Sequence, residues 1–328
     1  MIEGPNPPMV PLPLVVALGE VEPALVADTL RDHVTFVPDP GPDDLAVARG
    51  AIARADVVID GAFLERAPML RVIARTGVGV DLIDLAAATA LGIPIVITPG
   101  AGTRAVAEGV MAMLLHLVKR LGPLTTLVRQ GRWVERGAIP VGDLDGATIG
   151  IVGYGRIGRR VGELAAAFGM RVLAHDPLSP PPSGVACEDL VELAAASDIL
   201  TLHAPLTDET HHLIDADVLA RIRPGAVLVN GGRGGLMDLD AVLAALLSRR
   251  LAGVGLDVFD PEPPPHHPLF DCPDVVLTPH VMGLTRRATS ATFAEAARGV
   301  VDVLAGRRPI AVANPEWIHR AAATTEEA

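Results

Sequence analysis

Three polar residues in the second half of the chain are of the types that acid–base and anion-binding chemistry requires. Arg233, Glu262 and His280 each follow a separate apolar run. An arginine can hold a carboxylate through two parallel hydrogen bonds, and a histidine can transfer a proton near neutral pH. A carboxylate beside that histidine would orient it and stabilise its protonated form. The set suits the reduction of a 2-keto acid, although three solvated surface groups would leave the same pattern.

A glycine-rich segment earlier in the chain has the spacing of a dinucleotide-binding turn. Gly153-Tyr154-Gly155-Arg156-Ile157-Gly158 closes the apolar run 149–152 and precedes a predicted helix. The glycines would permit a tight turn, the approach of a pyrophosphate and close helix–strand packing. The next predicted strand ends at Asp176, where an acid would accept the ribose hydroxyls of NAD. No arginine occurs in residues 177–184, which favours NAD (NADH) over NADP. The alternative is a glycine-rich turn with a surface acid.

Two series of parallel strands are needed to position these residues. Runs of β-branched residues alternate with Ala- and Leu-rich segments, the pattern of strands with crossover helices. We predict strands over residues 13–18, 34–37, 56–60, 71–74, 93–98, 148–153, 171–175, 199–203, 226–230, 253–258 and 275–278. We predict helices over residues 23–32, 43–54, 84–91, 103–121, 156–168, 189–195, 216–221, 238–249 and 286–305. Because the carboxyl ends of parallel strands share one edge, the three polar residues would converge there.

Length and composition limit the class of protein. The chain has 328 residues, of which 50% are hydrophobic, enough for two buried cores. A formal net charge of -12 argues against nucleic acid or an anionic membrane as a partner. Cys187 and Cys272 are too isolated for a disulfide framework, which suggests a cytoplasmic protein. The apolar helix over residues 103–121 is short for a membrane span, and we expect it to be buried or at an interface. No cluster of histidines and carboxylates predicts a catalytic metal.

Several longer motifs occur together and in order. They are Arg75-Thr76-Gly77-Val78-Gly79-Val80-Asp81, Thr98-Pro99-Gly100, Val106-Ala107-Glu108, the glycine-rich turn with Asp176, His203-Ala204-Pro205-Leu206, Asn230-Gly231-Gly232-Arg233-Gly234-Gly235, Gly255-Leu256-Asp257-Val258-Phe259 before Pro261-Glu262-Pro263, and Thr278-Pro279-His280 with Gly283. In this combination, from about Val57 to Asn314, the chain resembles the D-isomer-specific 2-hydroxyacid dehydrogenases. That family includes phosphoglycerate dehydrogenases and hydroxypyruvate/glyoxylate reductases.

The resemblance implies a role for each matching position. Arg233 would bind the substrate carboxylate and carbonyl oxygen, and His280 would be the acid–base group with Glu262 as its partner. Val78 and Gly79 would offer backbone N–H groups to the substrate carboxylate, and Asp257 would contact the nicotinamide carboxamide. The residues implied to line the cofactor site are Val106, Gly153, Tyr154, Gly155, Arg156, Ile157, Gly158, Asp176, His203, Ala204, Pro205, Gly231, Gly232, Arg233, Asp257, His280 and Gly283.

The resemblance also implies a domain arrangement and an assembly. Two Rossmann-like or flavodoxin-like α/β domains with parallel sheets are expected, with the cofactor domain inserted into the substrate domain. The substrate domain would comprise residues 1–98 and 287–328, and the NAD-binding domain residues 99–286. A homodimer would form through the cofactor domain. The substrate would be a small 2-keto or 2-hydroxy acid.

The function predicted at this point is NAD-dependent interconversion of a 2-keto acid and a D-2-hydroxy acid. A different class of protein, an NAD(H)-sensing scaffold or corepressor-like protein, would use the same fold. Asp56 and Asp60 lie where phosphoglycerate dehydrogenases tend to have an arginine that grips phosphate, which argues against a phosphorylated substrate. Formate or phosphite oxidation is disfavoured because the chain has Glu262 where formate enzymes tend to carry glutamine. It also has no lysine in residues 75–81, where phosphite enzymes carry one.

Overall fold

A computed structural model describes residues 11–318, which form two compact units. The first unit contains residues 11–102 and 286–318 of the described chain, and the second is Thr103–Thr285. The second unit is therefore an insertion in the sequence of the first. The division falls a few residues from the predicted boundaries at 98/99 and 286/287.

The regular elements alternate along the whole chain. The strands are β1 (Leu14–Leu18), β2 (Thr35–Val37), β3 (Gly50–Ala53), β4 (Val72–Arg75), β5 (Ile95–Val96), β6 (Thr148–Val152), β7 (Arg171–His175), β8 (Ile199–Leu202), β9 (Ala226–Asn230), β10 (Leu251–Leu256) and β11 (Val275–Leu277). The helices are α1 (Ala27–Leu30), α2 (Pro42–Val47), α3 (Gly61–Arg66), α4 (Leu85–Ala90), α5 (Thr103–Val118), α6 (Leu121–Arg129), α7 (Arg156–Ala167), α8 (Leu190–Ala196), α9 (Ala216–Arg221), α10 (Leu239–Leu247) and α11 (Arg286–Leu304).

The first unit is built on a five-stranded parallel sheet of order β2-β1-β3-β4-β5. Two separate apolar clusters cover it, one containing residues of α1 and α11 and the other residues of α3 and α4. Glycines let α11 approach the sheet closely. A Cβ on Gly299 would lie 2.5 Å from Val96 Cγ1, and one on Gly50 would lie 2.9 Å from Val300 Cγ1. Strands covered on both faces explain why β3 and β4 are fully buried.

The second unit has a six-stranded parallel sheet of order β11-β10-β9-β8-β6-β7. Ala186 pairs with Ala174 of β7 through a single isolated parallel bridge. The strand order reverses between β6 and β8. In open parallel sheets, ligands bind outside the carboxyl ends of the strands at this reversal. The glycine-rich turn follows β6, so the expected two-domain α/β fold places that turn at the reversal.

Two sequence-based assignments are wrong in the structure. The predicted helix over 43–54 ends at Val47 as α2, and β3 follows; the predicted strand over 56–60 is irregular except for a bridge at Ile59. Alternating small apolar residues suit either conformation, and burial between two layers selects the strand here. A third element differs only in its bounds, because the helix predicted over 103–121 stops at Val118. Arg120 adopts a left-handed φ of 53° before α6 begins.

No single helix within residues 11–318 has the length and apolar content to cross a membrane. Taken together, α5 and α6 meet that test with a bend of 58° at their break. Much of α5 is buried in the apolar core of the second unit, against residues of β6, β8 and β9. These contacts agree with its prediction as a buried helix.

Candidate active site

The glycine-rich turn leaves an opening at the start of α7. Gly153 has φ of 86°, and a Cβ there would lie 2.5 Å from the backbone nitrogen of Ala204. A Cβ on Gly158 would lie 2.1 Å from Gly153 O, so packing requires glycine at both positions. Gly155, the residue that precedes α7, has no neighbour within 4 Å of an added Cβ. The turn therefore offers exposed backbone beside a helix N-terminus, the arrangement that fits a pyrophosphate.

Asp176 ties the glycine-rich turn to the loop after β7. Its Oδ2 accepts a hydrogen bond from Tyr154 N at 2.7 Å. Its Oδ1 accepts from Leu178 N at 2.9 Å and Ser179 N at 2.7 Å. The structure thus brings Asp176 to the predicted turn. It also gives this carboxylate a local structural role that its position in the sequence does not reveal.

His203 follows β8 and lies beside the loop after β9. Its Nε2 is 3.0 Å from Thr201 Oγ1, while Nδ1 is buried without a hydrogen-bond partner among the described residues. A Cβ on Gly231 would lie 3.6 Å from His203 Cε1 and 3.0 Å from Val110 Cγ2. Burial lowers the pKa of His203 to about 3, so the folded protein keeps this ring neutral near neutral pH. Its backbone continues into Ala204 and Pro205, and Ala204 contacts Gly153 as described above.

Acidification should destabilise the fold through His203. Its ordinary pKa is 6.5, so between pH 6.5 and about 3 the unfolded chain binds a proton that the folded chain does not. This contribution to stability is therefore present above pH 6.5 and is lost as pH falls through that window. Between about pH 7 and pH 5, the unfolding free energy of His203→Gln should therefore fall less than that of the wild type, by on the order of 1 kcal/mol. Urea unfolding at both pH values measures this, with the exposed His33→Gln as control. An unchanged pH slope in His203→Gln would contradict the assignment.

The loop that carries Arg233 is held by the last residue of β9. Asn230 is fully buried; its Nδ2 donates to Arg233 O at 2.8 Å, and its Oδ1 accepts from Gly232 N at 3.0 Å. A Cβ on Gly232 would lie 3.2 Å from two backbone oxygens, which leaves little room for a larger residue. Arg233 Nη1 donates to Gly232 O at 2.8 Å. In the sequence Asn230 is recognisable only as part of a motif, and the bonds by which it anchors the loop are visible only in the structure.

His280 and Glu262 are in direct contact. His280 Nδ1 lies 2.7 Å from Glu262 Oε2, while Glu262 Oε1 accepts from Phe259 N at 3.0 Å. Facing a carboxylate, Nδ1 is the nitrogen that carries the donated proton, which leaves Nε2 for a further partner. His280 has φ of 52°, in the left-handed region. The structure therefore brings these two predicted residues together as a hydrogen-bonded pair.

Asp257 holds the segment that carries His280. This aspartate is 3% exposed, and its Oδ1 accepts from Thr278 Oγ1 at 2.6 Å and Val281 N at 2.9 Å. Its Oδ2 accepts from Met282 N at 3.2 Å. These bonds fix the turn on both sides of His280, a positioning role that the sequence does not reveal. A buried aspartate directly after an apolar strand is the signal that could have indicated it.

The segment after His280 packs on α5. A Cβ on Gly109 would lie 2.5 Å from Met282 Cγ, and one on Gly283 would lie 3.8 Å from Val106 Cγ2. Two predicted cofactor-site residues, Val106 and Gly283, are thus neighbours. Arg233, Glu262 and His280 follow β9, β10 and β11, which are adjacent in the sheet. All three lie at its carboxyl edge, as the sequence predicted.

Val78 and Gly79 lie in the first unit, after β4. Arg75 is 3% exposed and its Nε donates to Gly79 O at 3.0 Å; its guanidinium also bonds to the backbone oxygens of Arg54 and Ala55. Gly77 N donates to Thr98 Oγ1 at 2.8 Å. The buried arginine thus holds the loop on which Val78 and Gly79 are exposed or half-buried.

No group of three or more histidines, cysteines and carboxylates within residues 11–318 could hold a metal ion.

The parallel sheet, the glycine-rich turn at its reversal and Asp176 define a dinucleotide-binding α/β domain. Residues 111–282 match the family model described as D-isomer specific 2-hydroxyacid dehydrogenase, NAD binding domain. The match covers most of the second unit and more than half of the whole chain.

Curated proteins and solved structures agree with the family model. The chain is 39% identical over 297 residues to a glyoxylate reductase of Aeropyrum pernix, covering 86% of this chain and 89% of that one. It is 36% identical over 305 residues to a D-3-phosphoglycerate dehydrogenase of Mycobacterium tuberculosis, covering 90% of this chain and 57% of that one. A solved structure of a Thermus thermophilus protein has a TM-score of 0.81 at 37% identity, covering 92% of this chain and 100% of that one.

The chain belongs to the D-isomer specific 2-hydroxyacid dehydrogenase family, as the motifs predicted. It spans little more than half the length of the mycobacterial relative.

Proposed function

We propose that this protein is an NAD-dependent oxidoreductase that interconverts a small 2-keto acid and the corresponding D-2-hydroxy acid. The observation that carries the proposal is the His280–Glu262 pair at 2.7 Å. The pair lies at the same sheet edge as Arg233, on the unit that matches the NAD-binding family model. The second unit would bind the cofactor, and the first would supply Val78 and Gly79 to the substrate.

The charged residues would act on the keto acid in complementary ways. Arg233 would hold the carboxylate and polarise the carbonyl, since a guanidinium can donate two parallel hydrogen bonds. His280 Nε2 would donate a proton to the carbonyl oxygen during reduction and accept it back during oxidation. Glu262 would keep the ring oriented and stabilise the charged imidazolium. The bound nicotinamide supplies the hydride chemistry.

The cofactor-site residues predicted from the sequence would each bind a different part of the dinucleotide. The turn Gly153–Gly158 would bind the pyrophosphate and Asp176 a ribose hydroxyl. His203, Ala204, Pro205, Gly231 and Gly232 would line the middle of the site, and Val106 and Gly283 would pack near the nicotinamide. Asp257 would contact the nicotinamide carboxamide while holding the segment of His280.

A keto-acid panel tests the proposal. NADH oxidation would be followed by absorbance with glyoxylate, hydroxypyruvate, pyruvate and phosphohydroxypyruvate, and NADH binding by fluorescence without substrate. We expect turnover of at least one unphosphorylated acid. NADH binding without any turnover would instead support the NAD(H)-sensing scaffold. Absence of NADH binding would remove both functions.

We propose further that the protein is a cytoplasmic homodimer. Val128 of α6 and Trp133 and Val134 after it are 61%, 61% and 87% exposed, an apolar surface that a second copy would cover. Cys187 and Cys272 are free thiols, as a reducing compartment requires. Light scattering after gel filtration tests the dimer, and cell fractionation tests the compartment.

A further inference from the structure

Asp176 has little remaining capacity to accept hydrogen bonds from the ribose of a cofactor. A carboxylate offers about four lone-pair positions to hydrogen-bond donors. Three backbone N–H groups already occupy Asp176, two on Oδ1 and one on Oδ2. One position on Oδ2 therefore remains for a ribose hydroxyl, which leaves room for a second residue to read the 2′ position.

Arg159 supplies a cation beside this carboxylate. It lies in the first turn of α7, where its Nε donates to Tyr154 O at 2.9 Å and its Nη2 donates to Ser179 Oγ at 3.0 Å. Its guanidinium also lies 5.9 Å from the centre of the Tyr154 ring. These three contacts place it between the glycine-rich turn and the loop that follows Asp176.

The guanidinium of Arg159 has hydrogen-bond donors that a ligand could use. Within the part of the chain that the structure describes, it forms no ion pair with an acid, and its Nη1 makes no hydrogen bond. The residue is exposed, so a ligand can reach it. Arginine with free donors and a nearby hydroxyl is a recurring recognition unit for phosphate.

No arginine occurs in residues 177–184, which directly follow Asp176. Arg159 comes instead from α7, and its hydrogen bond to Ser179 Oγ brings it to the loop after β7. Repulsion by Asp176 is therefore not the only electrostatic effect on a 2′-phosphate. A negative and a positive side chain both border that position.

We propose that Arg159 and Ser179 form a binding site for the 2′-phosphate of NADPH, and that Arg159 sets how strongly the protein discriminates between NADPH and NADH. The inference rests on the proposed dinucleotide binding. Asp176 disfavours a 2′-phosphate by repulsion, and Arg159 offsets that repulsion by direct hydrogen bonds. The wild-type protein therefore binds both cofactors.

Binding of the two cofactors without keto acid tests the site. The dissociation constants of NADH and NADPH would be measured by cofactor fluorescence for wild type, Arg159→Gln and Arg160→Gln. Arg160 is the matched control on the same helix, paired with Glu163 at 2.7 Å. We expect Arg159→Gln to weaken NADPH binding roughly tenfold or more and NADH binding less than about threefold. Arg160→Gln should change neither. Ser179→Ala should show a smaller loss in the same direction.

Salt provides a second measurement. Raising ionic strength should weaken NADPH binding relative to NADH in the wild type, and this difference should shrink in Arg159→Gln. Equal weakening of both cofactors in Arg159→Gln would make the arginine a structural residue and overturn the inference. Wild-type binding of NADH with no binding of NADPH would also overturn it. If neither cofactor binds, the proposed function itself fails.

Discussion

Replacing His280 with glutamine is expected to lower kcat for keto-acid reduction by about 10²–10⁴-fold, while the dissociation constant of NADH stays within about twofold. Glutamine retains a side chain that can bond to Glu262, but it cannot deliver a proton to the carbonyl oxygen. The segment around His280 is held by Asp257 through backbone bonds and Thr278, so the substitution should leave the turn in place.

Steady-state kinetics and fluorescence titration of NADH measure these two effects separately. The matched control is His266→Gln, a side chain that is 70% exposed and pairs with Asp271 at 3.1 Å. It should retain the wild-type rate. Full activity in His280→Gln would remove His280 from the proton transfer and with it the proposed mechanism.

Glu262 provides an internal check on the same prediction. If Glu262 acts only through His280, Glu262→Gln should lower kcat in the wild-type background. It should have little further effect once His280 is replaced, because residues that act as one unit are not additive. Independent, additive losses would mean that Glu262 contacts the substrate by another route than the 2.7 Å hydrogen bond.

The features that the sequence predicted well are those encoded locally. β7, β9 and α9 have the predicted bounds, because each is a short periodic run between clear breaks. The glycine-rich turn could be predicted equally well, since its spacing follows from one strand, one turn and one helix. The motif residues Arg233, Glu262 and His280 could be named for the same reason, and adjacent parallel strands explain their common edge.

The features that the sequence did not reveal depend on distant residues. The close packing of β3 at Gly50 depends on Val300 of α11, whose Cγ1 would lie 2.9 Å from an added Cβ. The break between α5 and α6 at Arg120 is held by an ion pair with Asp274 at 2.7 Å. Both partners lie far along the chain, so no local window could have contained them.

The same limit applies inside the site. The sequence identified Asp176 by its distance from the glycine-rich turn, yet not the three N–H groups that occupy it. It identified Asp257 as a motif residue, but it did not reveal the hydrogen bonds by which Asp257 holds the segment of His280. Side-chain contacts between strand ends depend on how loops turn after each strand, and periodicity carries no information about those turns.

Replacing Arg233 with glutamine is expected to lower kcat/KM for the keto acid by about 10³-fold, with NADH binding changed by less than about threefold. The guanidinium would serve both the carboxylate and the developing charge on the carbonyl oxygen, and glutamine supplies neither the charge nor two parallel donors. Arg233→Lys should recover only part of the loss, because lysine restores the charge without the planar fork. Asn230 should still hold the loop, since its bonds involve backbone atoms of Gly232 and Arg233.

Kinetics across a range of glyoxylate and hydroxypyruvate concentrations measure this effect. The control is Arg223→Gln, which lies before β9 at the opposite edge of the sheet and pairs with Asp198 at 3.0 Å. A surface ion pair of that kind contributes at most about 1 kcal/mol to stability and should not affect turnover. Losses of similar size in both variants would indicate a general disturbance of β9. A near-normal kcat/KM in Arg233→Gln would mean that the substrate carboxylate is held elsewhere, with the loop of Val78 and Gly79 as the next position to test.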